Sequence, residues 1–322
     1  MMSRQGPLKK VFIDGSAGTT GLRIGSRLAG RNDVALCTLP DSLRKDEAAR
    51  RDALNSADVA ILCLPDDAAR EAADMVSNPD VVVIDTSTAH RVSDGWEYGF
   101  PELSGRRERI AKSKRIANPG CHASGFVALV EPLVRAGLVS SGAALSAFSL
   151  TGYSGGGKKM IADYEDALGD GDPVRRLEYS GGRVYALSQS HKHIPEIVKI
   201  CGLSKIPLFS PIVVPHETGM ETVVSFFAED LAGTPDDIRR IYAETYGNGN
   251  GAVFYDESMG ASGMISSSAF SGRDSMSVGV CGGNGRIMLV ALFDNLGKGA
   301  SGAAIQNMNI ALGFDELSGL KT

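Results

Sequence analysis

A two-domain α/β fold follows from three features of the sequence. The first hundred residues alternate short β-rich runs with helical stretches, a glycine-rich turn joins the first run to the first helix, and beyond about Ala143 the strands lengthen. The first region reads, in order, as a strand at Val11–Ile13, a helix over Leu22–Leu28, a strand at Val34–Cys37, a helix over Arg44–Leu54, a strand at Val59–Leu64, a helix over Ala68–Val76 and a strand at Val81–Ile84. The second places strands at Ala144–Leu150, Ile212–Val214, Thr222–Phe227, Ser277–Val280 and Ile287–Phe293, with helices over Lys158–Leu168 and Pro235–Tyr246. That pattern predicts an α+β domain with a largely antiparallel sheet. A closing helix over Ala300–Leu312 is expected to pack back on the first domain, because a βαβ sheet needs helices on both faces. The boundaries are therefore 1–118 with 297–322 for the first domain and 119–296 for the second.

Composition narrows the functional classes. The 322 residues are 43% hydrophobic with a net charge of −5, and no basic stripe marks a nucleic-acid partner. No run approaches the roughly 20 apolar residues of a membrane helix, and Met1–Pro7 is too short and polar for a signal peptide, so a cytoplasmic protein is expected. Five cysteines, at 37, 63, 121, 201 and 281, form no Cys-x-x-Cys pair, which argues against a disulfide framework and a cysteine metal site. Glycine runs at 155–157 and within 247–251 read either as loops or as close approaches to a ligand.

Gly15-Ser16-Ala17-Gly18-Thr19-Thr20-Gly21 follows the first strand and opens the first helix, the context in which a glycine pattern points to a Rossmann-type dinucleotide-binding domain, although it reads Gly-x-x-Gly-x-x-Gly and not Gly-x-Gly-x-x-Gly and a plain tight turn is the alternative. Glycines let backbone N–H groups approach a pyrophosphate, and Thr19 and Thr20 offer hydroxyls to phosphate or to the helix start. An acid at the end of the second strand would favour NAD. Here that strand runs into Thr38, with Ser42, Arg44 and Lys45 beyond, which tilts the expectation toward NADP. Cys63-Leu64-Pro65-Asp66-Asp67 ends a later strand and reads either as a loop near a nicotinamide or as a helix start capped by Asp66.

Asn118-Pro119-Gly120-Cys121 precedes a long apolar-periodic stretch, so a sharp turn should stand the Cys121 thiol at a helix mouth, where the dipole favours a thiolate. The alternative is a small buried hydrophobe. Lowering a thiol pKa from ~8.5 to ~6 raises ionisation about thirtyfold at neutral pH, but a Brønsted slope near ~0.45 returns about thirteenfold of it. Positioning and proton transfer must therefore supply more. Ser190-His191-Lys192-His193-Ile194-Pro195-Glu196 offers the acid–base: Pro195 should hold Ile194 extended and end any helix there, and in extended chain His191 and His193 share a face. A zinc pair is the rival reading, without a third ligand placed by spacing. Arg91 follows an apolar strand and is the first candidate for phosphate, with a solvated surface arginine as the alternative. Gly155 and Gly156, between a strand and a helix, can face phosphate or nicotinamide, or merely turn the chain.

Together, Gly15–Gly21, Asp85–Arg91, Tyr98–Leu103, Asn118–Cys121, His191–Glu196 and Lys298–Asn309 resemble the short form of N-acetyl-γ-glutamyl-phosphate reductase, over nearly the whole chain. The glycine loop and the Asn-Pro-Gly-Cys turn are shared with aspartate-semialdehyde dehydrogenases; the His-x-His-x-Pro-Glu segment points to the glutamyl branch. Two departures stand out: relatives often carry Tyr where this chain has His122, and Ser-Ala-Asp-Phe-Arg where it has Ser87–Arg91. The roles of His90 and His122 are left open.

The resemblance implies NADPH-dependent reduction of N-acetyl-glutamyl 5-phosphate to N-acetylglutamate 5-semialdehyde and inorganic phosphate in arginine biosynthesis. Cys121 would be the nucleophile, His191 or His193 the acid–base, Arg91 would bind phosphate, and Asn307 would join the cofactor residues. A homo-oligomer, dimer or tetramer, is expected by analogy. The alternatives are an aspartate-semialdehyde dehydrogenase or related acyl-phosphate reductase, and a non-catalytic NADP-binding sensor.

Overall fold

The computed structural model describes residues 7–169, 172–247 and 251–322, so most of the run at 247–251 and Met1–Gly6 lie outside the described residues. The chain divides into two compact units: Met1–Pro101 with Gly105–Pro119 and Ala300–Leu320, and Glu102–Ser104 with Gly120–Gly299 and Lys321–Thr322.

The first unit contains β1 (Lys9–Asp14), α1 (Thr19–Leu28), β2 (Val34–Cys37), α2 (Glu47–Ser56), β3 (Val59–Leu62), α3 (Asp66–Asp74), β4 (Val82–Asp85), β5 (Glu97–Tyr98), α4 (Arg106–Lys112) and β6 (Arg115–Ala117). Its strands pair in parallel in the order β2-β1-β3-β4-β6-β5. A parallel sheet covered on both faces needs apolar residues pointing both ways, and every residue of β3 and β4 is buried. Along β1, Val11 and Ile13 join a core with Ile24 and Leu28 of α1, whereas Phe12 joins a core with Leu54 and Ala72 on the other face. Asp66 does not cap α3. It is the first helical residue, Pro65 holds the cap position, and the Asp66 carboxylate accepts instead from the Thr88 N–H at 2.9 Å.

The second unit contains α5 (Cys121–Arg135), β7 (Ser146–Gly152), α6 (Gly157–Leu168), α7 (Pro173–Tyr179), β8 (Arg183–Val184), α8 (Ile194–Cys201), β9 (Leu208–Val214), β10 (Met220–Phe227), α9 (Pro235–Tyr246), β11 (Val253–Tyr255), β12 (Met276–Gly283) and β13 (Arg286–Phe293). α10 (Gly302–Leu312) then completes the first unit, where Ala304, Ile305 and Met308 join the core of Val11 and Ile13.

The sheet of the second unit, in the order β11-β12-β13-β10-β7-β9-β8, is mixed and not largely antiparallel. β12, β13, β10 and β7 alternate in direction, but β7 pairs with β9 in parallel, as β11 does with β12. The long connection carrying α6, α7 and α8 is the cause: it returns the chain to the end of the sheet where β7 began, which is what a parallel neighbour requires. α5 lies against β10 and β13, and a Cβ on Gly125 would stand 2.4 Å from Thr222 Oγ1, so this close approach requires glycine. The buried Tyr242 and Tyr246 hydroxyls of α9 donate to the carbonyls of Leu129 and Ala128 in α5 at 2.6 and 2.7 Å. Among the described residues no helix is long and apolar enough to cross a membrane.

Candidate active site

Cys121 is the first residue of α5, half-buried, behind an extended Gly120 that supplies no side-chain cap. The first-turn N–H groups are thus left by their cap residue to face whatever charge develops at the sulfur. The turn is held from a distant motif: the Gly120 N–H donates to Glu196 Oε1 at 2.8 Å, and Glu196 is 2% exposed. From the other side, the π-helical turn Gly297–Ser301 presses against the cysteine, since a Cβ on Gly299 would lie 3.0 Å from Cys121 Cβ.

Pro195 begins a helix where an end was expected. It occupies the first turn of α8, where a missing N–H costs nothing, and His193 is the cap residue with φ −87° and ψ −8°. His191 to His193 is therefore a turn rather than extended chain, closed by the Ile194 N–H donating to the His191 carbonyl at 3.0 Å. The turn still brings both rings together, with centroids 4.7 Å apart. Both side chains are buried, and the His193 N–H donates to His191 Nδ1 at 3.1 Å.

His122, the residue after the nucleophile, lies among them. Its ring centroid is 5.3 Å from that of His191 and 5.8 Å from that of His193. Nδ1 meets Ser149 Oγ at 2.8 Å and Nε2 meets the Tyr185 hydroxyl at 2.8 Å. Burial first, then the neighbouring His191 and Lys192, push this imidazole down to about 3. The unfolded chain holds the proton near 6.5, so stability is complete above that value and falls as pH drops through the window toward 3. Between pH 6.5 and 4 the loss assigned to this ring is about 3 kcal/mol. Urea denaturation at pH 7 and pH 4 should show that much less acid sensitivity in His122→Gln than in the wild type.

Cys63 shows the opposite environment to a nucleophile: burial, chiefly, pushes its thiol up to about 12. Among the described residues no three His, Cys, Asp or Glu side chains gather as a metal site requires.

In the first unit, a cleft of about 400 Å³ opens over the glycine turn, walled by Gly15–Gly18, Leu39, Cys63 and the cations Arg44, Lys45 and Arg50. Gly15 has φ +84°, and a Cβ there would stand 2.3 Å from the Cys63 carbonyl oxygen; a Cβ on Gly21 would stand 2.6 Å from the Gly15 carbonyl oxygen. These two glycines serve the chain's own closure. Gly18 is different, since a Cβ there meets nothing nearer than 3.4 Å. Gly18→Ala should therefore fold normally yet weaken dinucleotide binding, whereas Gly15→Ala should lose roughly 2–4 kcal/mol of stability from strain and overlap. Thermal melts with and without added dinucleotide separate the two effects.

Arg50 of α2 pairs with the buried Asp14 at 2.9 Å, and Arg44 pairs with Asp41. Ser16 and Ala17 line the cleft with Gly15 and Gly18, while Thr19, Thr20 and Gly21 form the first turn of α1 behind them. Thr38 is exposed and outside the cleft wall, where Leu39, Arg44 and Lys45 stand instead. Arg91 is buried, with Nε donating to the Asn118 carbonyl at 2.9 Å and Nη2 to the Thr86 carbonyl at 2.9 Å. Asn307 is fully buried; its Nδ2 donates to the Gly99 carbonyl and to Asn118 Oδ1, and its own Oδ1 is an acceptor with no donor among the described residues. Gly155 and Gly156 form a 3₁₀ turn in the second unit, packed on Thr151 and Met160. His90 meets Asp85 at 2.7 Å and stacks on Trp96.

The cleft fits a dinucleotide: a glycine turn at a helix start, three cations in its wall and, elsewhere in the same unit, an orphaned amide oxygen at Asn307. Comparison with known proteins agrees. The profile of the semialdehyde dehydrogenase NAD binding domain matches residues 25–113, and that of the semialdehyde dehydrogenase dimerisation domain matches residues 121–295. The N-acetyl-gamma-glutamyl-phosphate reductase of Sinorhizobium medicae is 44% identical over 310 residues, covering 94% of this chain and 98% of that protein. N-acetyl-gamma-glutamyl-phosphate reductase 2 of Nostoc sp. is 43% identical over 320 residues, covering 97% and 99%. Among solved structures, aspartate semialdehyde dehydrogenase II of Vibrio cholerae, complexed with ASA, superposes with a TM-score of 0.70 at 16% identity, over 95% of this chain and 99% of that one. The Candida albicans aspartate semialdehyde dehydrogenase with NADP gives 0.63 at 17%, over 94% and 99%. At that identity the two structures establish the fold, and the closer sequences establish the rest: the chain belongs to the N-acetyl-gamma-glutamyl-phosphate reductase family, within the semialdehyde dehydrogenases.

Proposed function

We propose that the protein reduces N-acetyl-glutamyl 5-phosphate with NADPH to N-acetylglutamate 5-semialdehyde and phosphate, in arginine biosynthesis. The observation that carries this reading is Cys121, half-buried at the uncapped start of α5 and fastened through Gly120 to Glu196 of the histidine motif. Curated relatives at 42–45% identity bear this activity as their name. The Cys121 thiolate attacks the acyl carbon, the new C–S bond forms as the C–O bond to phosphate breaks, and phosphate leaves with that electron pair. When bound, NADPH supplies the hydride that takes the carbonyl to the aldehyde level. One of His191 and His193 protonates the oxygen of the resulting thiohemiacetal and takes that proton back as the C–S bond breaks, freeing the aldehyde and the Cys121 thiolate.

Arg44 and Lys45, in the cleft wall, suit the 2′-phosphate of NADP. Arg91 holds the Asn118 carbonyl, three residues before the nucleophile, and remains the candidate for substrate phosphate. We place the enzyme in the cytoplasm as a homo-oligomer, dimer or tetramer, a reading supported by the match to a dimerisation-domain profile.

The reverse reaction tests the proposal. N-acetylglutamate 5-semialdehyde should reduce NADP only when phosphate is present, and far faster than aspartate semialdehyde or an aminoadipate analogue does. Preference for either of the latter would overturn the substrate, and cofactor binding without any turnover would make the protein a sensor.

A further inference from the structure

We propose that Tyr185 is a positioning residue for His191, its hydroxyl joining His191 to His122 and holding the His191 ring neutral with its proton on Nε2. The inference rests on the reading of Cys121 as nucleophile with the histidine pair as its acid–base partners. The Tyr185 hydroxyl lies 2.8 Å from His122 Nε2 and 3.4 Å from His191 Nε2. His122 Nδ1 lies 2.8 Å from Ser149 Oγ, which lies 2.9 Å from Thr222 Oγ1.

One backbone donor sets the direction of the whole chain. His191 Nδ1 accepts from the His193 N–H, so it carries no proton, and a neutral ring must carry its hydrogen on Nε2. That Nε2–H donates to the Tyr185 oxygen, which leaves the phenol hydrogen to point at His122 Nε2. His122 then carries its hydrogen on Nδ1 and donates to Ser149, whose hydroxyl donates to Thr222. Every bond in this series is satisfied by a single proton arrangement, running from His191 toward the sheet.

The surroundings keep that arrangement in place. His122 stays neutral because it is buried, and burial, followed by the charge at Cys121, raises the Tyr185 phenol above its ordinary range, so neither group ionises in place of His191. Titratable groups facing His191 include His122, His193 and Tyr185, with Lys192 beside it in the chain and Cys121 acting on Tyr185. Protonating His191 would require displacing the His193 N–H from Nδ1. His191 is thereby fixed as a hydrogen-bond donor of constant charge, which leaves the proton transfer at the thiohemiacetal to His193.

The decisive measurement is ¹⁵N NMR of the imidazoles in the full-length protein. Wild type should show His191 with an unprotonated Nδ1 and a protonated Nε2 across pH 6–8; a protonated Nδ1 or a titrating ring would overturn the proposal without any variant. Tyr185→Phe should move the His191 Nε2 resonance by removing its acceptor, lower kcat/KM on the order of 10²-fold, shift its pH profile and leave KM for NADP unchanged. An unaltered pH profile with unaltered imidazole shifts in Tyr185→Phe would also overturn it. If the wild-type enzyme fails to turn over N-acetylglutamate 5-semialdehyde, the proposed function falls while the NMR result still decides the role of Tyr185.

Discussion

Cys121→Ser should abolish phosphate-dependent reduction of NADP by N-acetylglutamate 5-semialdehyde, lowering the rate by at least ~10³-fold, while NADP binding remains at the wild-type level. Serine keeps the volume and the position at the head of α5, so neither fold nor cleft changes. What it removes is a sulfur that ionises within reach of neutral pH. The helix terminus and the dipole cannot replace it, because a hydroxyl's pKa lies far above the range that a helix N-terminus adjusts. Trapping the acyl-enzyme gives a second readout: mass spectrometry of enzyme stopped during turnover should find the adduct on the peptide carrying residue 121. A Cys121→Ser variant retaining rates near wild type, or an adduct on another cysteine, would end the mechanism. Cys63 is a stringent internal control, since its thiol is held protonated in the wall of the nucleotide cleft.

The sequence made legible whatever obeys a short period or a local turn rule. β2 reads correctly because Val34–Cys37 is a brief apolar run in βαβ rhythm, and α5 begins at Cys121 because Pro119 and Gly120 force the turn ahead of it. β5 and β8 span two residues each, too few for any periodicity, and sheet direction depends on crossovers that periodicity does not encode. Pro195 misled because a proline that cannot continue a helix is equally suited to start one. In the candidate site, Cys121 and the two histidines carry signals in their neighbours. Tyr185 does not: its partner His122 is 63 residues away, and Glu196 reaches Gly120 across 76. Such pairings arise from packing of α5 against α8 and the sheet, and no spacing rule marks them.

Lys298→Met should cost about 3–5 kcal/mol of stability, the largest loss expected from a single change outside the catalytic residues. Lys298 Nζ lies 2.8 Å from both Glu102 oxygens, with the two side chains only 1% and 3% exposed. Methionine fills nearly the same space, so little of the penalty is a cavity; the cost is a carboxylate left in the interior without its counter-charge. Glu102 Oε1 also accepts from the Ala252 N–H at 3.2 Å, a neutral donor that does not replace a buried counter-charge. The double variant Glu102→Leu with Lys298→Met should recover most of the loss, because removing both charges also removes the desolvation that made either one expensive. Denaturant unfolding of the two single variants and the double variant closes the cycle. If the double variant is as unstable as the sum of the singles, the two residues contribute independently and the pair is not the unit of stability in this part of the second unit.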